Sequence, residues 1–368
     1  MKSFLLGLAF IFCFVFAQAG VRPGSQKCGQ DVLNNLKDRV INGELHPNVY
    51  FQQTQGCPNN IDENDDSFFD AAAKHFNVHP TNANDRANKK RTFYKNLRTA
   101  QGLNSKNSHA TFGITHFTFI DPEEAKQDYF MKPMTPEDIP AGNLQRFGNS
   151  RRKRATTSVD LRNQNAVNPI KDQGNCGSCW SFATVATMEI AHFQKTGSLL
   201  VLAEQQLLNC DKYDNACNGG WVGNAYTYAE NTGIAQNSTD PYVAEQENCT
   251  APVGTAVGVQ NYTQFMPNDT TSMMNALDQG YAVAISLNSS TSEFMYYTGG
   301  ILTNADDCSG DGIDHAITVI GYDTANDTDY WIIRNSWGTW WGEEGYVRIK
   351  RGINYCNMEV YPFIVNTL

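Results

Sequence analysis

The sequence predicts an α+β chain in two units: a basic helical leader, then a larger acidic unit whose helices precede its strands. Three observations carry this reading. Asp85, Lys89, Phe93, Asn96 and Asn104 recur along one side of a helix, and Phe182, Val185, Ala186, Ile190 and Phe193 form a second helical stripe closed by Gly197. Strand-like runs follow at residues 281–287, 316–320 and 330–333. The charge changes sign at Arg151-Arg152-Lys153-Arg154. Residues 1–154 carry 20 Lys+Arg and 15 Asp+Glu, residues 155–368 carry 8 and 23, and the nets of +5 and −15 sum to the chain's −10. Opposite charge on the two units predicts that they attract.

In chain order, residues 1–19 have the features of a secretory signal. Lys2 gives a positive start, Phe4 to Phe16 is almost wholly apolar, and Ala17-Gln18-Ala19 is a small-residue cleavage site. That run is too short to span a bilayer, which takes about 20 apolar residues. No later segment is long enough either, so the mature chain is expected to be soluble, and secreted or lysosomal. Residues 20–65 form an extension holding Cys28 and Cys57, a pair able to staple it; the sequence assigns it no function. Residues 66–154 complete the leader. The basic run follows Gly148-Asn149-Ser150 and reads as a processing signal, because exposed polar loops are where nicking concentrates. All six N-x-S/T sequons (Asn237, Asn248, Asn261, Asn268, Asn288 and Asn326) lie after it and mark surface loops where used. Cys249 sits inside the sequon of Asn248.

Ten cysteines are present, and Cys13 leaves with the signal. Nine remain, so at least one is an intermolecular link or a free thiol. The stretch DQGNCGSCWSF, Asp172 to Phe182, places Cys176 and Cys179 three apart. Such a spacing serves a redox pair, half of a zinc site, or two cysteines with separate tasks. No second Cys/His cluster has zinc-ligand spacing, so no metal is expected. Cys179 sits where a helix begins, and the unpaired amides there favour a thiolate. A thiolate nucleophile also needs a base in reach. The acidic unit has two histidines: His192, more than three turns along the same helix and out of reach, and His315, at the start of a strand in Gly312-Ile313-Asp314-His315-Ala316. Asn335 is a candidate to orient that imidazole, and Trp337 to shield their hydrogen bond from water.

These residues resemble a known pattern. Gln173-Gly174-x-Cys176-Gly177-Ser178-Cys179-Trp180, Cys217-Asn218-Gly219-Gly220, Asp314-His315-Ala316 and Asn335-Ser336-Trp337-Gly338-x-x-Trp341-Gly342 are similar, in order and spacing, to the papain family of cysteine proteases, cathepsin L-like type, with its prodomain. The similarity runs over residues 66 to 368. It implies a papain-like two-domain fold: a helical half, a β-barrel-like half and a cleft between them, behind an inhibitory prodomain (66–154) and ahead of no cofactor. It implies Cys179 as nucleophile, His315 as general base and then acid, Asn335 as its orienter, and Gln173 with the Cys179 backbone N–H as oxyanion donors. It pairs Cys176 with Cys217, Cys210 with Cys249 and Cys308 with Cys356, leaving Cys179 free.

The substrate strip would be Gly219 and Gly220. Trp221, Val222, Ala284 and Ile313, with Asp314 behind, would wall the pocket for the residue two before the cut bond, and Trp341 would cap the cleft. An apolar side chain is therefore expected in that pocket. Protein and peptide substrates, the chain's own propeptide and cystatin-like inhibitors are the implied partners of a monomer; no nucleic acid or membrane is implied. Cleavage after Arg154 would leave Ala155 as the new N-terminus. The leader departs from the family pattern at Ala100, where a larger apolar residue is usual. It departs again in Gly113, Thr115, Phe117 and Phe119, where the pattern's closing Asp is missing.

Overall fold

A computed structural model describes residues 28–57, 60–147, 157–250, 254, 256–304, 308 and 312–368. The signal segment and the Arg151–Arg154 run, with Ala155, lie outside the described residues. The leader is built from α1 (Gln30–Ile41), α2 (Pro47–Gln53), α3 (Asp66–His75), α4 (Ala83–Lys106), β1 (Ala110–Phe112), α5 (Pro122–Asp128) and β2 (Leu144–Gln145). The acidic unit follows with β3 (Val159–Asp160), α6 (Cys179–Thr196), α7 (Glu204–Cys210), α8 (Val222–Thr232), β4 (Val259–Phe265) and α9 (Thr270–Asp278). It ends with β5 (Val283–Leu287), α10 (Ser292–Met295), β6 (Tyr297–Leu302), β7 (His315–Ala325), β8 (Thr328–Arg334), β9 (Tyr346–Lys350) and β10 (Phe363–Thr367).

The long leader helix α4 starts at the Asn82 cap, whose side chain accepts the Asp85 N–H. Phe93, Asn96, Leu97 and Ala100 are buried, while Asp85 and Lys89 form an ion pair of 3.6 Å. Asn96 is buried because it has work for its amide: Nδ2 lies within 2.9–3.4 Å of the carbonyls of Phe117, Thr118 and Ile120. Phe119, which stands where the family pattern has a carboxylate, stacks on Phe93 at 4.8 Å. An apolar ring there extends the Phe69–Phe93 core instead of needing a charged partner.

Helix α6 is buried over most of its length and ends at Gly197, whose φ of +74° closes it. Strands run in one path, β1-β6-β9-β8-β7-β5-β10-β4-β2, with β3 on β7. The β-rich half is thus an open sheet among the described residues, not the closed barrel-like half the resemblance implied. Its two ends are taken by leader strands: β1 pairs antiparallel with β6 and β2 pairs parallel with β4. The leader therefore satisfies both exposed edges of the acidic unit. Ion pairs such as Lys37–Asp65 and Arg348–Glu343 fall within one unit or the other. The seam itself is built from strand pairing, backbone contacts and aromatic packing such as Phe117 on Trp337 at 4.7 Å.

Candidate active site

Cys179 is the first residue of α6, and its Sγ accepts the Ala316 backbone N–H at 3.3 Å. Ala316 follows His315 at the start of β7, so helix and sheet bring sulfur and imidazole to the same place. His315 Nε2 lies 2.8 Å from Asn335 Oδ1. That Oδ1 also accepts the Ser336 N–H at 2.8 Å, so the amide oxygen faces the ring, Nε2 donates, and Nδ1 keeps its lone pair. Nδ1 has no hydrogen-bond partner among the described residues. The Trp337 indole stacks on the imidazole at 4.5 Å and 25°, fixing the ring plane and excluding water from the His–Asn bond.

The electrostatics differ from the expectation at one point. Position at a helix start predicts a thiolate, but burial pushes the Cys179 thiol up to about 12. The amides of Ala316, Trp180 and Cys179 act the other way and are outweighed, because the sulfur is completely covered. Burial likewise pushes His315 down to about 4, against the opposing pull of Asn335. In this state the pair is a neutral thiol beside a neutral imidazole.

The cover is the leader. Met131 N–H donates to Asp314 O (2.9 Å), Lys132 N–H to Asn218 O (3.0 Å), and Met134 exchanges both backbone bonds with Ile313 (2.8 and 2.9 Å). This strap runs along the cleft and seats the Met131 side chain in one buried cluster with Cys179, Trp180, Trp221, Val222, Ala284 and Ile313. Gly219 is a glycine for this reason: its φ is +119°, and a Cβ would stand 2.9 Å from that of Met131. The Gly219–Gly220 strip is held from below by Asp214, whose Oδ1 accepts the Trp221 N–H at 2.8 Å. Burial first, and Asp211 beside it, push the Asp214 carboxyl up to about 8, against the opposing pull of the Trp221 N–H and the Asn224 amide.

Gln173 is buried beside Cys179. Its Oε1 accepts Ser336 Oγ–H at 2.6 Å, and Nε2 donates to the carbonyls of Cys176 and Tyr129, both at 2.9 Å. Tyr129 belongs to the leader, so a leader carbonyl occupies the amide proposed as an oxyanion donor. The Asp314 carboxyl accepts the amides of Ser289 and Ser290, the kind of donors a buried carboxylate needs, and its backbone carbonyl accepts the strap's Met131 N–H. Trp341 is fully buried against Trp337, with Nε1 donating to Phe294 O at 3.0 Å. Disulfides join Cys28 to Cys57, Cys176 to Cys217, Cys210 to Cys249 and Cys308 to Cys356. Cys179 is the free cysteine among the described residues. Sequence reading missed Met131, Tyr129 and Asp214, which belong to no motif; Tyr361, which it put near the pocket floor, meets the Trp221 ring edge-on at 5.4 Å.

A cysteine sulfur, an imidazole with a free lone pair and an amide oxygen on its other nitrogen stand together where a leader segment crosses the acidic unit. Residues 155–365 match the papain family cysteine protease profile, and the chain belongs to that family. It is 37% identical over 266 residues to fruit bromelain of Ananas comosus, covering 71% of this chain and 74% of the relative. Chymopapain of Carica papaya is 36% identical over 266 residues, covering 70% and 73%. Among solved structures, digestive procathepsin L2 from the Tenebrio molitor larval midgut superposes with a TM-score of 0.73 at 28% identity, covering 81% of this chain and 98% of that one. A recombinant stem bromelain precursor superposes at 0.72 and 27% identity, covering 81% and 97%. The chain is a cysteine protease made as a proform.

Proposed function

We propose that this proform enters the secretory route through residues 1–19 and matures into a monomeric endopeptidase that uses Cys179, His315, Asn335 and Gln173. The observation that carries the reading is the Cys179 sulfur on Ala316 N–H beside an imidazole held by Asn335. His315 Nδ1 takes the Cys179 proton, and the sulfur bonds to the substrate carbonyl carbon. The oxyanion draws on the Cys179 N–H and Gln173 Nε2–H once the Tyr129 carbonyl has left. The imidazolium returns its proton to the leaving amine as the C–N bond breaks, and water then hydrolyses the thioester through the same base. Cystatin-like inhibitors would enter the cleft that the strap vacates.

The apolar cluster that Met131 shares with Trp221, Val222, Ala284 and Ile313 supports a preference for an apolar residue two before the cut bond. Trp221, Val222, Ala284 and Ile313 supply no charge to it. Glu359, near the far wall, is turned away: it accepts Trp331 Nε1–H and the Gly352 N–H, both at 2.9 Å. Burying Leu, Val or Phe there gains about 1.5–3 kcal/mol, and an Arg would lose its hydration unpaired. Trp221 and Tyr361 narrow the floor, which favours aliphatic over aromatic side chains. A peptide library varied at that position should select Leu, Val or Met, with Phe below them. Selection of Arg would overturn the assignment of the pocket.

Maturation is proposed to follow cleavage after Arg154. N-terminal sequencing of the active form should then begin at Ala155. Replacing Arg151, Arg152, Lys153 and Arg154 with Gln should slow processing, and unchanged kinetics would refute a role for the run.

A further inference from the structure

The extension ahead of the prodomain takes no part in the site described so far, yet it is firmly built. The Cys28–Cys57 disulfide closes α1 and α2 into one module. Val40, Tyr50 and Phe51 sink into the core shared with the leader, Tyr50 meeting Phe68 at 4.9 Å.

One side of α2 grips the backbone that leads to the strap. Asn48 makes both available bonds to Ile114, Nδ2 donating to the carbonyl (2.7 Å) and Oδ1 accepting the N–H (2.5 Å). Gln52 donates to Phe112 O at 3.0 Å. The fit is close enough that a Cβ at Gly113 would stand 2.4 Å from Asn48 Oδ1. The other face of this segment is held by the acidic unit: Gly113 N–H donates to Tyr296 O (2.8 Å), Thr115 Oγ1 to Met295 O (2.9 Å), and β1 lies on β6. Residues 110–115 are thus sandwiched between the extension and the enzyme, and the chain continues from them through α5 into the strap.

The start of α2 carries two histidines in contact. His46 is the N-cap, its Nδ1 accepting the Asn48 N–H at 3.0 Å. Its ring centroid lies 4.2 Å from that of His75, in the last turn of α3. Phe76 packs edge-on against both rings. The charged groups lining the same niche are Glu44, from the loop before α2, and Lys74, from α3, while α1 contributes Val40 and Ile41; on its other side His46 shares a cavity with Glu344 of the acidic unit, whose charge would favour the cation.

We propose that residues 28–57 are an acid-released clamp on the inhibitory leader: α2 locks residues 110–115, and protonation of the His46–His75 pair unlocks it. Two imidazoles in contact resist carrying two charges, and a proton on His46 Nδ1 removes the lone pair that caps α2. Burial first and His75 second hold His46 down to about 4, and burial holds His75 below its ordinary value. Lys74 adds to the repulsion. Glu44 and the C-terminal end of α3 favour the cations and act against it, less strongly than burial does. The sign follows. Both groups bind protons more tightly once the clamp is open, so the clamp is fully stable above pH of about 6.5 and weakens as pH falls towards 4. An acid response would thereby survive in a leader that carries Phe119 where the family pattern has Asp.

This inference rests on the leader being the inhibitor, and its test reads the leader without using activity. Amide hydrogen exchange of residues 110–134 is followed in full-length Cys179→Ala protein, comparing variants at matched pH. The parent should lose protection between pH about 6.5 and 4. His46→Asn with His75→Gln, which retains a side-chain cap on α2, should keep protection to at least about one pH unit lower. Asn48→Ala should exchange at least about tenfold faster at pH 7. An unchanged midpoint in the double variant, or parent-like protection in Asn48→Ala, would overturn the clamp. Should the double variant fail to fold, His75→Gln alone must move the midpoint the same way. An inactive mature enzyme would sink the protease reading and leave this result standing.

Discussion

Replacing Cys179 with alanine is expected to lower peptidase activity by a factor on the order of 10⁴ or more, with the melting temperature within a few degrees of the parent. The sulfur carries no crosslink and alanine removes a single buried atom and its bond from Ala316 N–H, so little packing is lost with it. Cys176→Ala, three residues away, should behave in the opposite way. It opens a disulfide to Cys217 that closes a separation of 41 residues, a loss of about 2–4 kcal/mol. For a unit of this size that is a fall of roughly 5–15 °C. Activity should suffer too, through substrate binding, because Gly177 N–H donates to Cys217 O (2.9 Å) at the foot of the Gly219–Gly220 strip. Calorimetry on both variants separates the chemical cysteine from the crosslinking one. Equal loss of melting temperature would contradict the assignment.

The second large effect is on the thiol itself. With the strap in place the Cys179 thiol is held up at about 12, so about one molecule in 10⁵ carries a thiolate at pH 7. Burial is the first cause, and release of the leader removes it. A helix-start cysteine beside an imidazolium then titrates at roughly 3.5–7.5. The thiolate fraction should rise by about 10⁴–10⁵, while the lower basicity costs about two to four powers of ten in nucleophilicity. A net gain on the order of 10–10²-fold in reaction with iodoacetamide remains, before access is counted. The pH profiles should differ in shape as well. In the proform the rate should climb with pH across 6–9, since the group titrates above that range. In the released enzyme it should be nearly flat. Parallel profiles would mean that the strap does not control the thiol.

Much of the candidate site was legible through the four motifs that resemble the papain family, and the bounds of the elements that carry them through short-range pattern. The apolar stripe that starts after Cys179 and is closed by Gly197 marks α6, and β-branched runs mark β5, β7 and β8. The side chains of the Cys179, His315 and Asn335 segments meet although up to 156 residues separate them in sequence, since each stands at the end of an element. What the sequence concealed depends on long-range packing. Nothing local announces that Met131 joins the buried cluster of Trp221 and Ile313 or that a Tyr129 carbonyl holds the Gln173 amide. The thiolate expectation failed for the same reason: helix position is local, whereas burial by a distant strap is not. Among the described residues the ion pairs lie within the leader or within the acidic unit, and the seam holds β1 on β6 and Phe117 on Trp337. The extension was opaque until Asn48 and His46 were seen against Ile114 and His75.

The most direct measurement is a titration of the released enzyme with a thiol-directed epoxide, read by intact mass, peptide mapping and residual activity together. One equivalent should attach at Cys179, activity should fall in proportion, and the uncut proform should stay unlabelled under the same conditions. Full activity after stoichiometric labelling of Cys179, or equal labelling of the proform, would contradict the account.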